Sequence, residues 1–100
     1  MGISLGLVGL GQFGQTFADL FRSHPGVDRV ALCDREPERI AAIASRKGWD
    51  KKFNTRDSYG DIENLLQTDV DAIVIITQPW LHAPQCIQAM KAGKHVYSAV

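Results

Sequence analysis

Three glycines, Gly9, Gly11 and Gly14, stand in G-x-G-x-x-G spacing inside the stretch LGLVGLGQFGQTF, and this feature restricts the chain more than any other. An apolar run ends at Gly9, and a helix-period pattern of Phe13, Phe17, Leu20 and Phe21 begins within the motif. The order is strand, tight turn, helix. In such a turn the first glycine allows a sharp change of direction, the second leaves room for a pyrophosphate, and the third lets the helix lie close on the strand. The helix then directs its free N–H groups and the positive end of its dipole at the phosphates.

A glycine motif alone also occurs in kinase loops and by chance, so its surroundings decide. Asp34 follows Gly14 by twenty residues, at the end of a second apolar run, Val30-Ala31-Leu32-Cys33. A dinucleotide fold places there the carboxylate that accepts hydrogen bonds from the adenosine ribose. No V-A-I-K strand follows, which removes the kinase reading. Asp34 also disfavours a 2'-phosphate by like-charge repulsion, whereas its neighbour Arg35 would offset that effect, so the pair points to NAD with NADP as the alternative.

Further along the chain the same unit repeats. His24-Pro25-Gly26 stops the first helix, and the second strand runs from Val27 to Asp34. Pro37 opens a second helix with Ile40, Ile43 and Ala44 facing inward and Gly48 in the capping place. A short third strand is expected around Lys52 to Asn54, followed by a helix whose apolar stripe is Tyr59, Ile62, Leu65 and Leu66, with Ser58 and Asp61 as an approximate capping box. Ala72 to Ile76 is an unbroken apolar run rich in β-branched residues, the mark of a strand covered on both faces. A loop from Thr77 to Ala83, a helix from Pro84 to Ala92 with Cys86, Ile87 and Met90 inward and Gly93 closing it, and a fifth strand from His95 complete the series.

Alternating strands and helices give a Rossmann-type, doubly wound α/β parallel sheet, with strand order 3-2-1-4-5 from right-handed crossovers. Strands 1 and 4 are then neighbours, and the winding reverses between them. The loops after them, Gly9 to Gly14 and Thr77 to His82, are expected to meet over one ligand, with Asp34 across the first.

Composition narrows the partners. Eleven Lys plus Arg balance eleven Asp plus Glu, which leaves no field to recruit nucleic acid or an anionic membrane. No apolar run reaches the roughly 20 residues needed to span a bilayer, and the N-terminus lacks the basic flank of a signal peptide and the myristoylation pattern. A cytoplasmic protein is expected. Cys33 and Cys86, far apart and without a C-x-x-C, are expected to be small buried thiols. His24, His82 and His95 lack metal-ligand spacing, so no metal site is expected.

The turn GLGQFG, the acidic CDR after strand 2, TQPWLH after strand 4 and AGKHVY leading into strand 5 together resemble the N-terminal domain of the glucose-fructose oxidoreductase/inositol dehydrogenase (Gfo/Idh/MocA) family, over essentially the whole chain. The resemblance implies a nicotinamide-dependent oxidoreductase acting on sugars, cyclitols or related hydroxy compounds. It implies that Gly9, Leu10, Gly11, Gln12, Phe13 and Gly14 hold the pyrophosphate, Asp34 and Arg35 the adenosine end, and Thr77, Gln78, Pro79 and His82 the nicotinamide side. It also implies a second, α+β domain, absent from this chain, that forms much of the substrate pocket and through which a homo-oligomer is expected to assemble. Residues 1–100 are accordingly expected to be one dinucleotide-binding domain, inactive alone. The chain departs from the family where Glu-Lys-Pro usually follows the fifth strand. Ala99 and Val100 occupy the Glu and Lys positions and carry no titratable group, so no catalytic residue is expected in this chain. Two alternatives remain: a non-catalytic dinucleotide-binding or NAD-sensing module, favoured by that departure, and an S-adenosylmethionine methyltransferase, disfavoured because no acid precedes Gly9.

Overall fold

The computed structural model describes residues 2–46, 49, 53, 55–76 and 79–98, apart from the side chains of residues 12, 13, 55, 79–83 and 98. Five parallel strands, β1 (Ile3–Val8), β2 (Val27–Cys33), β3 (Ser58–Tyr59), β4 (Ala72–Ile75) and β5 (His95–Ser98), lie in the order β3-β2-β1-β4-β5. Between them run α1 (Gln12–Ser23), α2 (Pro37–Ala44), α3 (Ile62–Leu66) and α4 (Pro79–Lys91). This is the expected doubly wound arrangement, with the reversal between β1 and β4.

The period-2 geometry of a strand sends alternate residues to opposite faces, and both faces of the central strands are apolar. Leu5 and Leu7 of β1, Val30 and Leu32 of β2, and Ala72 and Val74 of β4 meet Phe17, Ala18 and Phe21 of α1 and Ile40 and Ile43 of α2 in one core. Val8, Ala31, Cys33, Ile73 and Ile75 point the other way, onto Ile62 and Leu65 of α3 and Ala89 of α4. A continuous apolar strand is stable here because each face has its own helical layer.

Several expectations need correction. The third strand is Ser58–Tyr59, paired with Leu32 and Cys33, rather than the segment around Lys52 to Asn54. Lys52 and Asn54 lie outside the described residues, but the Phe53 N–H donates to the Trp49 carbonyl at 2.9 Å, a helical bond, and both side chains are buried in the first core. A two-residue strand is too short to show alternation, and Tyr59 also fits the helical period of α3, so the two signals overlapped. Asp61, rather than Ser58, caps α3, accepting the Asn64 N–H at 2.9 Å. Helix α2 closes at Ser45, and Gly48 lies outside the described residues.

The faces of two helices are also corrected. Leu20 is exposed on α1, because Ala18 completes the inward stripe with Phe17 and Phe21. Helix α4 begins at Pro79 rather than Pro84, since Pro79 suits a first turn as well, and Pro84 inside the helix forgoes one backbone bond. Its inward face carries Ala89 and the half-buried Cys86, whereas Ile87 and Met90 are 50% and 59% exposed. Both pairs are three residues apart, so periodicity alone cannot choose between them; the smaller pair lets the helix settle on the sheet. Gly93, at φ +79°, closes α4 as expected.

Candidate functional site

The carboxyl ends of four strands are joined by a row of backbone hydrogen bonds. The Asp34 N–H donates to the Tyr59 carbonyl at 3.1 Å, the Gly9 N–H to the Cys33 carbonyl at 3.0 Å, and the Ile76 N–H to the Val8 carbonyl at 2.8 Å. This row is the floor of a crevice of about 660 Å³, whose walls include Gly9, Gly11, Asp34, Asp61, Ile76 and Pro84. Segments after β1 and after β4 therefore border one cavity, of a size suited to a small organic ligand.

The glycine turn has the local geometry its spacing requires. Gly9 has φ +95°, a conformation L side chains rarely adopt. A Cβ on Gly14 would overlap the Gly9 carbonyl oxygen, so α1 starts against the turn's own backbone. Gly11 differs: at φ −66° it would tolerate a side chain conformationally, and among the described residues a Cβ there would meet only Arg39 Nη1, at 3.9 Å, on the crevice side. Gly11 is also the N-cap of α1 with no side-chain cap bond, and the first turn contains no acidic residue. A glycine cap supplies no side-chain acceptor to the first-turn N–H groups of α1.

Asp34 is the buried charged residue of the site, 9% exposed. Its Oδ2 accepts the Leu10 N–H at 2.7 Å and its Oδ1 accepts the Glu36 N–H at 2.8 Å. The carboxylate thus clamps the glycine turn to the start of α2, a structural duty the sequence does not reveal. Two carboxylate oxygens offer about four acceptor directions, so two remain beyond these bonds. Asp34→Asn keeps one acceptor but turns an amide donor toward one of the two N–H groups. We expect it to lower stability by about 1–3 kcal/mol, the usual effect of an orphaned buried donor. Urea unfolding measures this, and an unchanged midpoint would show that the clamp is dispensable.

Cys33 lies beneath Asp34, and burial, reinforced by the charges of Asp34, Asp61 and Glu63, pushes its thiol up to about 12. The neutral thiol is therefore the folded-state form at physiological pH. Because the folded protein holds this proton more tightly than the unfolded chain, its contribution to stability is complete below about pH 9 and declines as pH rises toward 12. In native protein at pH 8, iodoacetamide should modify the half-buried Cys86 well before Cys33. Equal labelling of both on intact protein, read by mass spectrometry, would contradict this account.

Of the other residues singled out from the sequence, Leu10 is fully buried and Arg35 is exposed at the crevice rim. Gln12 and Phe13 form the first turn of α1, and Pro79 and His82 lie in the opening turns of α4 rather than in a loop. Thr77, Gln78, Ala99 and Val100 fall outside the described residues. Among the described residues no group of three His, Cys, Asp or Glu side chains could hold a metal ion, and no helix is long and apolar enough to cross a membrane. The sequence reading missed Glu36 and Arg39, whose Nε bonds Glu36 Oε2 at 2.8 Å while Nη1 lies 3.6 Å from Asp34 Oδ2. Their position in the opening of a helix directly after β2 was the available signal.

Residues 3–98 match the Gfo/Idh/MocA family, described as an oxidoreductase family with an NAD-binding Rossmann fold. Over 93 residues the chain is 36% identical to 4-carboxy-2-hydroxymuconate-6-semialdehyde dehydrogenase of Sphingobium sp., covering 92% of this chain and 28% of that protein. A glycosyl hydrolase family 109 protein of Streptomyces filamentosus is 35% identical over 99 residues, covering 94% of this chain and 20% of that one. Among solved structures, scyllo-inositol dehydrogenase from Lactobacillus casei with bound NAD(H) and scyllo-inositol superposes with a TM-score of 0.83 at 25% identity, covering 98% of this chain and 28% of the other. The chain belongs to the Gfo/Idh/MocA oxidoreductase family and spans less than a third of the length of these relatives.

Proposed function

From that membership as premise, we propose that residues 1–100 form the dinucleotide-binding domain of an oxidoreductase that moves a hydride between a nicotinamide cofactor and a sugar, cyclitol or related hydroxy or carbonyl compound. The observation that carries the reading is the crevice at the β1/β4 reversal, bordered by the glycine turn on one side and by Ile76 and Pro84 on the other. The residues fit such a cofactor: Gly11 presents no side chain to the cavity, the start of α1 has no side-chain cap, and Asp34 retains acceptor capacity.

In this reading the backbone from Gly9 to Gly14 holds the pyrophosphate, Asp34 and Arg35 orient the adenosine end, and Thr77, Gln78, Pro79 and His82 border the nicotinamide. When bound, the cofactor supplies the hydride acceptor or donor. The chain's own contribution is binding and orientation. Ala99 and Val100 cannot move a proton, so the proton donor and most of the substrate pocket belong to a further domain, through which the protein assembles as a homo-oligomer in the cytoplasm. The names of the relatives, an inositol dehydrogenase, a semialdehyde dehydrogenase and glycosyl hydrolases, support this substrate class.

Titration with NADH, NADPH and S-adenosylmethionine, followed by calorimetry, tests the reading. Saturable binding of a nicotinamide dinucleotide is expected, and preferential binding of S-adenosylmethionine would overturn it. A second reading, a non-catalytic NAD-sensing module, is favoured by Ala99 and Val100. Turnover of a sugar or cyclitol by the full-length protein would exclude it.

A further inference from the structure

Gln15 reaches back from the opening turn of α1 to the glycine turn before it. Its side-chain Nε2 donates to the Leu10 carbonyl at 3.3 Å, and its backbone N–H donates to the Gly11 carbonyl at 3.0 Å. The Gly9 carbonyl faces the same helix, since a Cβ on Gly14 would overlap its oxygen. Three successive carbonyls are thus drawn toward α1. In a planar trans peptide the carbonyl and the N–H point in opposite directions, so the N–H groups of Leu10 and Gly11 point away from the helix. That of Leu10 ends on Asp34 Oδ2, in the wall of the crevice, and Gly11 lines the same wall.

The three carbonyls are not held alike. That of Gly11 belongs to the helix's own ladder and that of Gly9 packs against Gly14, whereas that of Leu10 is held by a side chain. A peptide followed by glycine turns over at low cost, because glycine accepts φ of either sign. The amide that prevents this is itself fixed. Arg46, just beyond α2, gives Nη2 to Gln15 Oε1 at 2.6 Å and Nη1 to both carboxylate oxygens of Asp19 at 2.8 Å. Guanidinium donates and does not accept, so the amide oxygen must face it and the amide nitrogen must face the Leu10 carbonyl. Gln15, Asp19 and Arg46 stand behind the turn and are not among the residues that line the crevice.

We propose that Gln15, oriented by Arg46, is a positioning residue of the phosphate cradle: it holds the Leu10 carbonyl against α1 and so keeps the Gly11 N–H turned toward a pyrophosphate oxygen. A turned-over peptide would present a carbonyl oxygen to the anion instead. The inference rests on the dinucleotide reading above and deepens it, by naming residues that keep the turn in its binding form without touching the ligand.

The test compares adenosine diphosphoribose, which contains the pyrophosphate, with adenosine, which lacks it, by NMR titration of the full chain so that weak binding is also read. Gln15→Met keeps the length and helix propensity of the side chain but has no amide donor. It should weaken adenosine diphosphoribose by about tenfold or more and adenosine by less than about twofold. Arg46→Met should weaken the first ligand by about threefold, and Arg46→Lys, which restores a charged donor to Oε1, should recover most of that loss. In the ligand-free protein the Gly11 amide signal should shift and broaden in Gln15→Met as two peptide orientations exchange, while those of Gly6 and Gly93 stay in place. Lowered thermal stability of Gln15→Met with unchanged affinity for adenosine diphosphoribose and an unmoved Gly11 signal would make these residues a strut between α1 and α2. That result, or equal weakening of both ligands, would overturn the inference and leave the dinucleotide reading intact. Failure of the unmodified chain to bind adenosine diphosphoribose would remove both.

Discussion

Gly11→Val is expected to lower dinucleotide affinity by about a hundredfold or more, since a blocked phosphate forfeits charge-assisted bonds of roughly 1.5–3 kcal/mol each. The fold should survive. Gly11 has φ −66° and ψ −173°, which valine adopts without strain, and among the described residues the added Cβ meets only Arg39 on the crevice side. The loss at the helix N-cap is about 1 kcal/mol, because valine is a poorer cap than glycine. Calorimetry for affinity and thermal unfolding for stability separate the two effects. Retained affinity would mean that this turn does not hold the phosphates.

Gly14→Ala should produce the reverse. Its Cβ would overlap the Gly9 carbonyl oxygen, a backbone atom whose residue is fixed at φ +95° and whose N–H is tied to Cys33. Neither side has a flexible end to yield. Alanine gains about 1 kcal/mol in helix propensity over glycine, but we expect a net destabilisation of about 3 kcal/mol or more, in the range of severe steric substitutions. Urea denaturation measures it, and a midpoint at or above that of the unmodified protein would show that α1 can shift away from the turn. The two glycines, three residues apart in one motif, thus serve different ends: Gly11 leaves space for a ligand and Gly14 leaves space for the fold.

Much of the architecture was legible because its signals are local and redundant. The glycine turn, the apolar runs Val30 to Cys33 and Ala72 to Ile76, and the Pro and Gly punctuation all agree on one alternating pattern, and the handedness of crossovers then fixes the strand order. The elements that were misplaced carry weak or competing signals. Ser58–Tyr59 is two residues long, Pro79 and Pro84 both suit a helix start, and Ile87 and Met90 share their spacing with Cys86 and Ala89.

The candidate site divides along the same line. Sequence by itself determined that a glycine turn follows β1 and that an acid ends β2, because turn conformation and strand termination are properties of a few adjacent residues. Only the tertiary structure decided that Asp34 spends two of its acceptor directions on Leu10 and Glu36, and that Arg39 comes to rest against it. The Leu10 contact depends on where the end of β2 lands relative to a turn more than twenty residues earlier, which packing between distant segments sets, and the Glu36 and Arg39 contacts depend on how the chain turns from β2 into α2.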